Sequence, residues 1–229
     1  MEYFFILVEP SVPGNIGAAA RAIKIMGFKH LWLVKPCGHL SQEAVKMAHG
    51  SGDILKKAVI FDSLQQALDE IDFVIGTSAR KRTVHEDYIN CSDIPRIITA
   101  KGKSIKSAGI VFGREESGLT NNELKKCDIV THIPMISDYP SVNLAQSVMI
   151  YAYLLSGLIL KNQRVRKENR NENSFKELKR KIKMILEDVG IDKNPTLHDR
   201  IMERLVLLNE DDMHLLYSFI NKYREKQES

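Results

Sequence analysis

Four segments carry the residues able to do chemistry, and each is built from glycine, small polar residues and a few charges. The first, PGNIGAAAR, runs from Pro13 to Arg21. It holds a Gly14-x-x-Gly17 spacing but lacks the G-x-G-x-x-G fingerprint of a dinucleotide-binding turn. Gly14 supplies a flexible turn, and a helix beginning at this point could hold an anion on its free N–H groups. Gly17 would leave an open surface one turn before Arg21, on a face shared with Lys24. The same residues also fit a plain helix start with a solvated arginine.

The other three segments are VIGTSARKRT, VFGREESGLTNNEL and HIPMISDYPSVNLAQ. Each follows an apolar run. Ligands of open α/β sheets bind in the crevice at strand C-termini. Three small, backbone-accessible loops could wrap a cofactor through main-chain N–H and C=O groups. Taken singly, each loop is equally compatible with an ordinary turn that leaves Glu115 and Glu116 in solvent.

Other chemistries lack their residues. His30, His39, His49, His85, His132, His198 and His214 show no metal-ligand spacing. There is no G-x-S-x-G elbow and no G-x-x-x-x-G-K-[ST] phosphate loop. Cys37, Cys91 and Cys127 stand far apart without a C-x-x-C pair, which argues against a disulfide framework or zinc cluster and favours a reducing cytoplasm. Lone cysteines such as Cys37 or Cys91 are more often packing residues than nucleophiles.

The elements that must position these loops alternate. Strands are expected at Tyr3–Glu9, His30–Val34, Ala58–Phe61, Asp72–Gly76, Ala108–Phe112 and Asp128–Ile133. Helices are expected from Asn15 as N-cap to Met26, at Ser41–Ala48, Ser63–Glu70 and Asn121–Lys126, and from Asn143 to Leu160. Gly27 is placed as the left-handed stop of the first helix. Such alternation implies a parallel α/β sheet over residues 1–160. The 229 residues, 44% hydrophobic and 27% charged, suit a globular chain of one domain and an appendage. MEYFFILVEP reads as a first strand and not a signal peptide. The 17 uncharged residues from Leu144 to Leu160 read as a helix buried in a core or subunit interface, not a membrane span.

Beyond residue 160 the composition changes. Lys161 to Lys181 holds nine basic residues against three acidic ones, a local charge of +6 where the whole chain carries +4. A polar, basic linker is expected over 161–173 and a helical extension over 174–229. Helical periods run through Phe175, Leu178, Ile182 and Ile185, then Leu197, Ile201, Leu205 and Leu208. A third helix is expected to start at Asn209, with a capping-box-like Asp212.

NIGAAAR, FGREESGLTNNEL and IPM…YPSVNLAQSV, in this order, closely resemble the three motifs of the TrmH/SpoU group of SPOUT RNA 2′-O-methyltransferases. GTSARKRT and the tail pattern resemble the TrmJ-type tRNA methyltransferases. The resemblance implies a SPOUT-type parallel sheet with a C-terminal deep trefoil knot, a rare exception to the rules of chain connection. It implies S-adenosylmethionine as cofactor, no metal, a homodimer packed through the first and last helices of the sheet domain, and a tRNA substrate. The implied reaction is 2′-O-ribose methylation in the anticodon loop, at tRNA nucleotide 32; rivals are the same reaction on rRNA and a silent RNA-binding module on the same fold.

Carried over by motif, the catalytic positions are Asn15, Arg21, Glu115, Ser141 and Asn143. The cofactor positions are Thr77, Ser78, Ala79, Gly113, Ile133, Ser141, Val142 and Leu144. The family's proposed base is the arginine, here Arg21. A guanidinium stays charged at ordinary pH, so the alternative is a clamp on phosphate that polarises the hydroxyl.

Overall fold

The structure, a computed structural model, describes residues 1–80, 87–136, 142–162 and 175–227. The basic linker 161–173 lies largely outside these residues, as do Lys81, Arg82 and Ser141. The fold is α/β. Strands β1 (Glu2–Val8), β2 (His30–Val34), β3 (Val59–Phe61), β4 (Phe73–Thr77), β5 (Tyr88–Asn90), β6 (Ser107–Phe112) and β7 (Ile129–His132) form one sheet. Its order is β3-β2-β1-β6-β4-β7-β5, and every neighbouring pair is parallel.

The central strands read as unbroken apolar runs because both of their faces are covered. Phe5, Ile6, Leu7, Ile75, Ile110 and Val111 are fully buried. The helices of this part are α1 (Pro13–Ile25), α2 (Gln42–Ala48), α3 (Gly52–Lys56), α4 (Leu64–Leu68), α5 (Ile94–Lys101), α6 (Asn121–Leu124) and α7 (Leu144–Asn162). Ser41 and Ser63 cap α2 and α4 with their side chains. Among the described residues no helix is long and apolar enough to cross a membrane.

Three local expectations are corrected. Helix α1 begins three residues early, with Val12 at the N-cap position: Pro13 occupies its first turn, where its fixed φ fits and its missing N–H costs nothing. Asn15 therefore sits inside the first turn and caps nothing. Gly17 is not an open surface but a crossing point, where an added Cβ would lie 2.0 Å from the Ala44 carbonyl oxygen of α2. Finally, β5 and α5 went unread. Three residues show no period, and the Ile-Ile-Thr run of α5 favours a strand on local propensity alone.

The chain divides into two compact units, Met1–Pro95 with Ser107–Arg166, and Arg96–Lys106 with Lys167–Ser229. The second contains α8 (Phe175–Asp188), α9 (Pro195–Val206) and α10 (Glu210–Gln227). Asn209 caps α10, accepting the Asp212 N–H at 2.9 Å. Lys101, fully buried, joins the insert Arg96–Lys106 to these helices. Its ammonium donates to the carbonyls of Val206 and Leu208 at the end of α9, and stands 4.2 Å from the Phe175 ring centroid. A cation suits the negative end of a helix.

Candidate functional site

The sheet gathers the sequence-selected loops at the C-terminal ends of its strands. The loop after β6 is the tightest. A Cβ at Gly113 would lie 2.1 Å from the Gly118 carbonyl carbon and 2.2 Å from the Leu119 nitrogen. Only glycine permits that approach. Gly118, at φ +67°, completes the reversal, and Arg114 and Gly118 exchange backbone hydrogen bonds of 3.3 and 2.9 Å. The chain then enters α6 through a capping box made by Thr120 and Glu123.

This loop forms one wall of a cavity of about 590 Å³, within the roughly 300–1,000 Å³ common for small-molecule sites. Thr77, Ser78, Ala79, Gly113, Ile133, Val142 and Leu144, the described members of the expected cofactor set, all line it. Thr77 Oγ1 donates to the Val111 carbonyl at 2.9 Å, and the Ser78 N–H to Thr131 at 2.9 Å. The β4 loop is thus fastened to the strands on both sides of it.

Sequence reading missed other wall residues, including Phe112, Leu119, Met135 and Tyr151. Their apolar character made them indistinguishable from core. Tyr151, on α7, shares a 2.8 Å hydrogen bond with Thr131 Oγ1 and meets Phe112 edge-on. Burial pushes its phenol well above the ordinary range, which keeps it protonated.

Beside the cavity, three motifs meet through side chains far apart in sequence. Asn15 Nδ2 donates to Glu115 Oε1 at 2.9 Å, and Asn143 Nδ2 donates to Asn15 Oδ1 at 3.0 Å. Asn143 also caps α7, its Oδ1 accepting the Ala145 N–H at 2.9 Å. Glu115 accepts the Ser11 N–H and Oγ–H, both at 3.0 Å, and the Val12 N–H at 3.3 Å. Partial burial alone would raise the Glu115 carboxyl. The hydrogen bonds from Asn15 and Ser11 outweigh it and hold the group below the usual carboxylate range. Glu115 is therefore an ionised anchor, poorly suited to taking a proton.

Arg21 is not drawn into this cluster. It lies exposed on α1, and among the described residues its guanidinium makes no hydrogen bond or ion pair. Lys24, expected on the same face, is already used: its ammonium donates to Asp53 at 2.7 Å and to the Gly50 carbonyl at 2.8 Å. The cysteines offer no nucleophile, since burial raises all three thiols and Glu115 and Glu43 push Cys37 further up. No group of acidic, histidine or cysteine residues able to hold a metal occurs among the described residues.

Two family models match the chain: the SpoU rRNA methylase family over residues 2–153, and the C-terminal domain of the tRNA/rRNA methyltransferase LasT over residues 172–227. An Escherichia coli relative, described as an uncharacterized tRNA/rRNA methyltransferase LasT, is 37% identical over 96% of both chains. The tRNA (cytidine/uridine-2′-O-)-methyltransferase TrmJ of Pectobacterium atrosepticum is 41% identical over 65% of this chain and 61% of its own. Among solved structures, a probable methylase family protein of Haemophilus influenzae superposes with a TM-score of 0.66 at 32% identity, covering 99% of this chain and 97% of its own. The SpoU methyltransferase AviRb of Streptomyces viridochromogenes, solved with AdoMet, shares the fold: TM-score 0.56 and 20% identity over 70% of this chain and 62% of its own. By its sheet domain, its C-terminal helices and a relative matching nearly its whole length, the chain belongs to the SpoU methylase family, among its LasT- and TrmJ-type members.

Proposed function

We propose that the protein transfers a methyl group from S-adenosylmethionine to a ribose 2′-hydroxyl of tRNA, in the anticodon loop. The observation that carries this reading is the Glu115–Asn15–Asn143 chain beside a glycine-walled cavity, with Arg21 left open on the same helix. The cavity fits the cofactor in kind. A Cβ at Gly113 would close part of it, backbone-rich loops offer N–H and C=O groups, and Phe112, Leu119 and Tyr151 offer apolar and aromatic walls. Thr77, Ser78, Ala79, Gly113, Ile133, Val142 and Leu144, with Ser141 by motif, would hold it.

When bound, the cofactor supplies a sulfonium methyl, already a strong electrophile. What the chain must add is orientation, which contributes roughly 7–11 kcal/mol in favourable systems. Asn15 and Asn143 fix the wall on which the ribose would lie. Arg21 clamps a substrate phosphate and polarises the 2′-hydroxyl, whose proton leaves to water or phosphate. No metal is required for these roles.

Two further parts belong to this reading. Helix α7, uncharged from Leu144 to Leu160, packs on α1, while Tyr153 of α7 and Ile25 of α1 are exposed at 67% and 57%, as a homodimer interface would require. The basic stretch from Lys161 to Lys181 captures RNA by phosphate contacts. Part of its charge is engaged internally: Arg180 pairs with Glu177 at 2.7 Å, and Lys181 donates to Asn221 at 3.1 Å.

Incubation with labelled cofactor and separate tRNA and rRNA pools tests the assignment, followed by mapping of the labelled nucleotide. Label in tRNA at an anticodon-loop ribose is expected. Label in rRNA alone favours the ribosomal substrate, and label in neither pool favours a binding module.

A further inference from the structure

Arg114 immediately precedes the anchor Glu115, and its side chain turns to a different set of partners. Its Nε donates to Glu9 Oε2 at 2.9 Å, and Nη2 reaches the same oxygen at 2.9 Å. Nη1 donates to Glu123 Oε2 and Nη2 to Glu123 Oε1, both at 3.0 Å, and Nη1 also meets the Gly118 carbonyl at 3.3 Å. A guanidinium has five N–H donors in a fixed fork. Four hydrogen bonds and the Nη2 ion contact with Glu9 engage Nε and both terminal nitrogens, so the side chain is committed to protein partners. Burial disfavours both charges, but the hydrogen bonds and ion pairing hold Glu123 below and Arg114 above their ordinary ranges.

The partners lie on two sides of the site. Glu9 immediately follows β1, two residues before Ser11, and sits at φ +48°, a conformation that must be held by its surroundings. Glu123, the third residue of α6, completes the capping box with the N-cap Thr120 at the end of the cofactor loop. Arg114–Glu9 and Glu115–Ser11/Val12/Asn15 are therefore successive rungs between segments 9–15 and 113–119. Both segments are otherwise loop or first helical turn.

We propose that Arg114 is a positioning residue that couples the cofactor loop to the first turn of α1, through Glu123 on one side and Glu9 on the other. The proposal rests on the cofactor reading above. Its two arms act on different quantities. The Glu123 arm sets the loop that walls the cavity, and so the cofactor affinity. The Glu9 arm sets where α1 begins, and so the transfer step.

The test uses the full chain with S-adenosylhomocysteine, read by calorimetry and by hydrogen exchange at the amides of residues 11–16. In the wild type, ligand binding should slow exchange at these amides. Glu9→Gln should bind the ligand within about 3-fold of wild type, lose most of that protection, and lower the single-turnover rate about 10-fold. Glu123→Gln, which can still cap α6, should weaken binding about 10-fold and keep the protection once saturated. Arg114→Lys keeps the charge and loses the fork, and should show both defects, with a rate loss on the order of 100-fold. A purely structural role predicts instead a common loss of thermal stability, with affinity and protection moving together in all three variants. That result, or unchanged ligand-induced protection in a folded Glu9→Gln, overturns the coupling while leaving the methyltransferase reading intact. Failure of the wild type to bind the ligand overturns both.

Discussion

The first turn of α1 and the face of the same helix two turns later are built on opposite plans. At the first turn, Ser11, Val12 and Asn15 are tied to Glu115, Gly14 N–H to Glu43, and Asn15 to Asn143. At the second place, Arg21 projects into solvent. A group already saturated by protein partners can position but cannot act on an arriving substrate. An open cation can bind phosphate, because it has no partner to lose. The contrast sets a tied frame against a charge, Arg21, that is open among the described residues.

The sharpest way to break that contrast is Arg21→Ala. It should lower methyl transfer by about 10²–10³-fold, the range for removing a group that stabilises developing charge. Affinity for S-adenosylhomocysteine should stay near wild type, since Arg21 does not line the cavity. Wild-type turnover would remove Arg21 from the mechanism.

The frame is tested by Gly113→Ala. The new methyl would fall inside the Gly118 backbone, and backbone cannot yield as a side-chain tip can. Ligand affinity should drop by about 100-fold, equivalent to roughly 2.7 kcal/mol. Titration of the purified variant measures it, and affinity near wild type would mean that the folded-back loop is not the cofactor wall.

A third test uses the helical unit as a control. Lys101 is also a buried tether, but its acceptors are helix-end carbonyls and not the site. Lys101→Met should cost about 1–3 kcal/mol of local stability by leaving those carbonyls unsatisfied. Exchange should rise in α8–α10, while ligand affinity stays unchanged. A matching fall in affinity would show that the two tethers are not independent.

The smallest effect concerns pH. Glu115 has its carboxyl held below the ordinary value, so its stabilising contribution is fully present above the unfolded pKa. It is lost as pH falls through the lowered folded value. Exchange at residues 11–16 should therefore rise on acidification in the wild type. In Glu115→Gln that rise should be smaller, because the amide cannot titrate.

Local sequence determined the pieces. Unbroken apolar runs such as YFFILV announced buried parallel strands, and Gly27 announced a left-handed stop, observed at φ +84°. Small and polar residues made the loops conspicuous between apolar runs, but the individual site residues, Ile133, Val142 and Leu144 among them, were named only through the family resemblance. Tertiary structure alone decided what those residues touch. Asn15 and Asn143 are 128 positions apart, and nothing in the period of either segment encodes their hydrogen bond. Gly17 looked open until a second helix crossed it, and nothing local marked Arg114 or Lys101 as tethers. Periodicity reports which face of an element is buried. It does not say which element does the burying, because that is fixed only when distant strands take their order in the sheet and bring their loops to one edge.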